Sequence, residues 1–164
     1  MLIGRIPKTS AVAAIAVLYS LVAFGNITDY RTNLPFVQHV LMMDTIMPTA
    51  TIRYRAIAAP ALHEAAYLII IAVEVVTAGL CWLGVFRLLR QLLASGEAFN
   101  RAKRAAVAGL TLGYLLWQVG LIAIGSEWFG MWMSHEWNGV EGAFRFLVMT
   151  LGVLIYVSLP DGET

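Results

Sequence analysis

Charge and cysteine are both scarce in this chain. Of its 164 residues only 13% are charged, whereas 60% are hydrophobic, and a soluble domain of this length usually carries about a quarter charged residues. A water-exposed surface covering a chain of this size is therefore not expected. Cys81 is the single cysteine, which excludes an intrachain disulfide and any zinc cluster built on thiolates. The formal net charge is +1, so no global basic surface points to nucleic acid. There is no glycine-rich phosphate loop, no nucleophile elbow, no low-complexity linker and no internal repeat. These absences leave one compact membrane domain, residues 1–164, with no catalytic residue in view.

What is present is long apolar sequence. Four segments approach the roughly 20 residues a membrane span needs: residues 10–27, 65–85, 105–125 and 143–159. The expected fold is all-α, a polytopic bundle of four transmembrane helices. Arg5 and Lys8 precede the first apolar run in the manner of a secretory signal. The run is long for that role and "AFG" at residues 23–25 is a poor cleavage site, so it reads as an uncleaved first helix. Lys and Arg placement sets the expected orientation. Seven lie in the N-terminal tail and the connection between spans two and three (Arg5, Lys8, Arg87, Arg90, Arg101, Lys103, Arg104), against four on the other side (Arg31, Arg53, Arg55, Arg145). Both termini are expected in the cytoplasm.

The two external connections carry most of the unusual chemistry. The first, about residues 28–64, is long for a small bundle. Within it Phe36, Val37, Val40, Leu41 and Asp44 read as a short amphipathic helix lying in the interface. The second gathers Trp128, Phe129, Trp132 and Trp137 into ten residues, and Trp favours the headgroup level. The loops are expected to fold against each other. Asp44 is expected to neutralise Arg53 and Arg55, and Arg145 to pair with Glu141 or Glu127.

Inside the bundle, His63, Tyr67, Glu74 and Cys81 fall on one helical stripe of span two, with Leu68, Ile71 and Val75 away from it. A carboxyl facing lipid is expensive, so the stripe should face inward. Counting residues from each span's outer end puts Gln118, Ser20 and Thr150 at a depth comparable to Glu74. The expectation is one buried polar layer in which Glu74 bonds Gln118, with Ser20 or Thr150 as further partners. Such a layer fixes helix register; a proton relay or a ligand site is the sharper alternative, but a relay needs a chain of ionisable groups. Gly109 and Gly113 form a GxxxG pair suited to close helix approach.

All three histidines, His39, His63 and His135, fall on the external side, near methionines and carboxylates. Histidine with carboxylate suits zinc and histidine with methionine suits copper, yet no H-x-x-x-H spacing occurs. Hydrogen bonding at the interface is the expected role of each, and ligation of a cofactor the alternative.

The stretches "FGNITDYRTNLPFVQHVLMMDTIMP", "RAIAAPALHEAAYLIIIAVE", "AFNRAKRAAVAGLTLG" and "EWFGMWMSHEWNGVEGAFRF" together resemble a bacterial family of predicted small integral membrane proteins, known as domain of unknown function 2165. The resemblance runs from about residue 10 to residue 162. It implies an inner-membrane protein with four spans and brings no activity. The family's motif positions fall here on Asn26, Asp29, Tyr30, Asn33, His39, Asp44, Arg55, Pro60, His63, Glu74, Asn100, Lys103, Glu127, Trp128, Trp137, Asn138 and Arg145. Tight-junction tetraspans share the long first loop but require a cysteine pair in it, which this chain lacks.

Three functional readings follow. The first is a non-catalytic accessory or assembly subunit of a larger inner-membrane complex, such as a respiratory or other energy-converting one. It would use Asp29, Asp44, Arg55, Glu127, Trp128, Trp132, Trp137 and Arg145 as external interface, with lipid, other membrane subunits or further copies of itself as partners. The second is a protein that binds quinone, haem or metal through His39, His63 and His135. The third is a small oligomeric proton-coupled transporter centred on Glu74.

Overall fold

A computed structural model describes residues 2–162. Among these residues the fold is all-helical, with four helices long and apolar enough to cross a membrane. Helix α1 spans Leu2–Thr28, α2 Tyr30–Met42, α3 Pro60–Arg90, α4 Gly96–Ala102, α5 Arg104–Leu115 and α6 Val140–Ser158. From Leu116 to Trp128 the third span continues α5 as a π-helix. Short 3₁₀ turns at Arg53–Arg55 and Met131–Met133 lie in the two connections.

The spans are longer than their apolar runs. Arg5 and Lys8, expected in a tail, lie on α1 and are buried. Arg5 donates through Nη1 to the carbonyls of Leu92 (2.9 Å) and Ala94 (2.6 Å), just past the end of α3. Lys8 Nζ donates to the Leu159 carbonyl and to Asp161 Oδ2, each at 2.7 Å. Lys103 meets the same carboxylate at 2.5 Å, and Asn100 exchanges two 3.0 Å bonds with the Asp161 backbone. These contacts gather the start of α1, the α3–α4 connection and the segment after α6 at one end of the bundle, called the basic end below.

Small residues let the spans approach. A Cβ on Gly84 would lie 2.6–2.7 Å from Ala106 Cβ, Cα and N. One on Gly109 would lie 2.9 Å from Cys81 Sγ, and one on Gly113 would strike the Tyr19 phenol. The GxxxG pair is thus used inside the bundle, against α3 and α1. The main core joins Val12, Ala16 and Tyr19 of α1 to Cys81, Val85 and Leu88 of α3, Phe99 of α4 and Leu110 of α5. It is concentrated towards the basic end. At the loop end two smaller clusters replace it, Val37–Tyr67–Ile71 and Met43–Ile46–Phe129.

The spans do not end flush. Asn26, near the end of α1, lies against Glu74, fourteen residues into α3 and so about 21 Å from its start. At 31 residues, α3 is about 46 Å long, against a hydrocarbon core of about 30 Å. Helix α2 fills the space left by the shorter α1, packing Val37 on Tyr67 and Ile71. It begins earlier than the sequence suggested and ends before Asp44, because Met43 turns into the left-handed region (φ 52°).

Candidate functional site

The stripe on α3 faces inward as expected: His63, Tyr67, Glu74 and Cys81 are all buried. Leu68 and Val75 are exposed, but Ile71 is buried under α2 and does not lie away from the interior as the stripe implied.

Glu74 does not take Gln118 as its partner. Its Oε2 accepts from Asn26 Nδ2 at 2.8 Å. The Tyr67 hydroxyl lies 3.2 Å from both the backbone oxygen and Oδ1 of Asn26. Asn26, Tyr67 and Glu74 are therefore one hydrogen-bonded unit joining α1 to α3. The expected single layer is in fact three separate arrangements. Thr150 Oγ1 lies 3.3 Å from the Tyr19 hydroxyl, which accepts from Trp117 Nε1 at 2.8 Å. Ser20 donates back to the Ala16 carbonyl and accepts from Trp82 Nε1 at 3.0 Å. Gln118 is half-exposed and belongs to none of these.

Two physical facts explain the difference. Depth counted from each span's own end assumes flush ends, and α1 stops level with Glu74. Depth also says nothing of face, and the wider turn of a π-helix rotates each following side chain; Gln118 is the third residue of that segment. Sequence reasoning missed Asn26 as the acid's partner. The signal was there in the family motif, which includes both Asn26 and Glu74. Replacing Asn26 by leucine is expected to cost about 1–3 kcal/mol, because it leaves the Glu74 carboxyl unsatisfied in the interior, while the Tyr67 hydroxyl keeps the backbone carbonyl of residue 26. Chemical unfolding in mixed micelles measures this.

The unit borders empty space. A cavity of about 150 Å³ is lined by Asn26, Asn33, Tyr67, Glu74 and Trp117, closed by Phe36, Val37, Ile70 and Leu121. An almost wholly apolar cleft of about 220 Å³ shares Phe36, Val37, Ile70 and Leu121 with it and runs on between α2 and the π-helix to Gly120, Ile124 and Gly125.

The loop end is a cap made of both connections. His39 stacks on Trp137 (4.5 Å between ring centroids, 14° between planes) and bonds Asp44 Oδ2 through Nδ1 at 2.8 Å. Phe36 meets Trp137 edge-on, and Thr45 Oγ1 lies 2.8 Å from Ser134 Oγ. The loops thus pack on each other. The expected pairing of Asp44 with Arg53 and Arg55 is replaced. Arg53 donates to the carbonyls of Met43 (3.2 Å) and Ile46 (2.7 Å), and Arg55 to that of Trp128 (3.2 Å). A turn that leaves carbonyls without helical partners is a better acceptor for a guanidinium than a carboxylate already held by a histidine. Arg145 pairs with Glu141 on the surface of α6. Glu127 and Asp29 are exposed, Glu127 meeting Ser126 Oγ at 3.4 Å.

Two of the three histidines hold separate partners. His63 is buried and its Nε2 meets the Ile57 carbonyl at 2.7 Å; His39 is held as above; His135 is exposed. Among the described residues no three His, Cys, Asp or Glu side chains converge as a metal site would require. His39, His63 and His135 therefore do not form a three-ligand metal site among the described residues.

Comparison with curated proteins and with solved structures finds no match. Residues 4–160 match the family described as predicted small integral membrane protein, domain of unknown function 2165. With four apolar spans and a match over nearly its whole length, the chain belongs to that family of small integral membrane proteins.

Proposed function

We propose that this protein is a non-catalytic accessory or assembly subunit of a larger complex in the bacterial inner membrane, such as a respiratory or other energy-converting one, with both termini in the cytoplasm. The orientation rests on the seven-to-four placement of Lys and Arg. The accessory role rests on one feature of the cap. Arg55 lies against two aromatic rings, its Cζ 4.5 Å from the centroid of Trp128 and 5.5 Å from that of Tyr54. Tyr54 is 78% exposed and Trp128 53%. Trp, Tyr and Arg are the residue types that dominate binding hot spots, and here the stack is already ordered, which lowers the cost of binding. Trp132, in the same connection as Trp128, is exposed as well.

A photo-crosslinker at position 54, in tagged protein expressed at its native level, tests this reading. One or a few membrane subunits are expected in stoichiometric adduct and in the gently extracted eluate. The double variant Tyr54→Ala/Trp128→Ala is expected to lose them while still inserting and folding. A protein that elutes alone, or a double variant that keeps its partners, would sink the proposal.

A further inference from the structure

We propose a second site, independent of the accessory reading: the cavity at Glu74 and the cleft beside it bind a single-chain amphiphile whose compact head carries hydroxyl groups. The two spaces differ in chemistry and lie side by side, sharing Phe36, Val37, Ile70 and Leu121 in their linings. The inner one, about 150 Å³, has room for roughly five water volumes, enough for a small head and too little for a phospholipid headgroup with its glycerol. Its wall carries the Asn26–Tyr67–Glu74 unit. Glu74 is 1% exposed, and only Oε2 is committed to Asn26; no hydrogen bond among the described residues reaches Oε1. The outer space, about 220 Å³, is lined almost wholly by aliphatic and aromatic groups and suits a chain. Ile69 and Ile124, 63% and 48% exposed, stand at its rim, so the cleft opens towards the surface that faces lipid. A concave apolar pocket ending in a few convergent polar groups is the usual form of a small-molecule site.

The floor decides the head. A hydroxyl can donate to a carboxylate or accept from a carboxylic acid, so it matches Glu74 in either state of ionisation. A phosphate or carboxylate head sets acid against acid. The π-helix supplies the wall where the chain would lie. Gly120 and Gly125 leave it open there, since a Cβ at either position meets nothing closer than 3.6 Å, and π-helical segments often mark functional positions.

The test uses a twelve-carbon alcohol carrying a diazirine at mid-chain, photolysed with the full chain in mild detergent. Adducts are expected on Phe36–Leu41 and on Gly120–Phe129. Decyl-hydroquinone or farnesol is expected to compete, and the stronger competitor identifies a quinol or an isoprenoid alcohol as the class of occupant. Dodecyl phosphate is expected to compete at least tenfold more weakly. Leu121→Trp, which fills both spaces, should abolish cleft labelling. Glu74→Leu should weaken it about tenfold and Glu74→Gln restore it, because glutamine also donates and accepts; thermal unfolding checks that each variant is folded. Labelling spread evenly over Leu68, Val75 and Phe86, or unchanged in Leu121→Trp, means annular lipid alone and overturns the proposal. Equal competition by phosphate and alcohol, or full binding by Glu74→Leu, overturns the role given to the carboxyl group. None of these readouts depends on a protein partner.

Discussion

Replacing Asp161 by alanine is expected to cost about 3–5 kcal/mol, among the largest effects of any single substitution in this chain. The Asp161 carboxylate lies 2.7 Å from Lys8 Nζ and 2.5 Å from Lys103 Nζ, and all three side chains are nearly buried. Two ammonium groups, one on α1 and one at the junction of α4 and α5, converge on one anion. Its removal leaves both cations in a poorly solvated place with only the Leu159 carbonyl and Asn100 between them. Unfolding in mixed micelles should show the loss directly. Lys8→Met and Lys103→Met added to Asp161→Ala should recover most of it, because a buried ion group replaced whole by apolar side chains is often neutral or better. If Asp161→Ala alone unfolds like the parent, the cluster does not hold this end together.

The same cluster gives the stability a pH dependence. Burial alone would raise the Asp161 pKa, but hydrogen bonds and charge from Lys103 and Lys8 outweigh it and hold the carboxyl below its ordinary value. A carboxyl depressed in the folded state contributes stability that is present above its unfolded pKa and lost as pH falls through the folded one. Acid should therefore weaken the parent protein, and Asp161→Ala should flatten that part of the profile.

Gly84→Val should be the second severe change, costing about 3 kcal/mol, the upper part of the range for overpacking. A single added carbon already sits 2.6–2.7 Å from Ala106, and two of the atoms it meets are backbone. Neither helix can yield without separating α3 from α5. Gly79→Ala, five residues away on the same helix, is the contrast. Nothing lies within 4 Å of its Cβ position, and alanine is the better helix former by about 1 kcal/mol. A thermal midpoint that falls for the first and holds or rises for the second would confirm that α3 and α5 are in backbone contact at Gly84. Equal behaviour would contradict the packing described here.

The apolar runs by themselves determined the membrane class, the four spans and the inward stripe of α3. These follow from local composition and from the 3.6-residue period, which act wherever the helix sits. The pairing of Arg145 with Glu141 was legible for the same reason, being a contact across one helical turn. Glu74 was legible as an interior acid, because lipid tolerates it nowhere else.

Its partner was decided by tertiary structure alone. The relative heights of α1 and α3 set whether Asn26 or Ser20 stands beside Glu74. Those heights follow from where Arg5, Lys8 and Lys103 find Leu92, Ala94 and Asp161 at the basic end, long-range contacts that no local pattern encodes. The π-helical winding after Leu115 leaves Gln118 half-exposed and away from Glu74, and a depth counted from sequence says nothing of the face a side chain takes. The arginines of the first connection likewise found backbone carbonyls in place of Asp44, because those carbonyls are freed only by the turns the folded chain makes. The shorter α1 and the α2 that fills in above it are also what leave the cavity beside Glu74, so the most specific feature of this protein exists only once four helices of unequal reach have packed together.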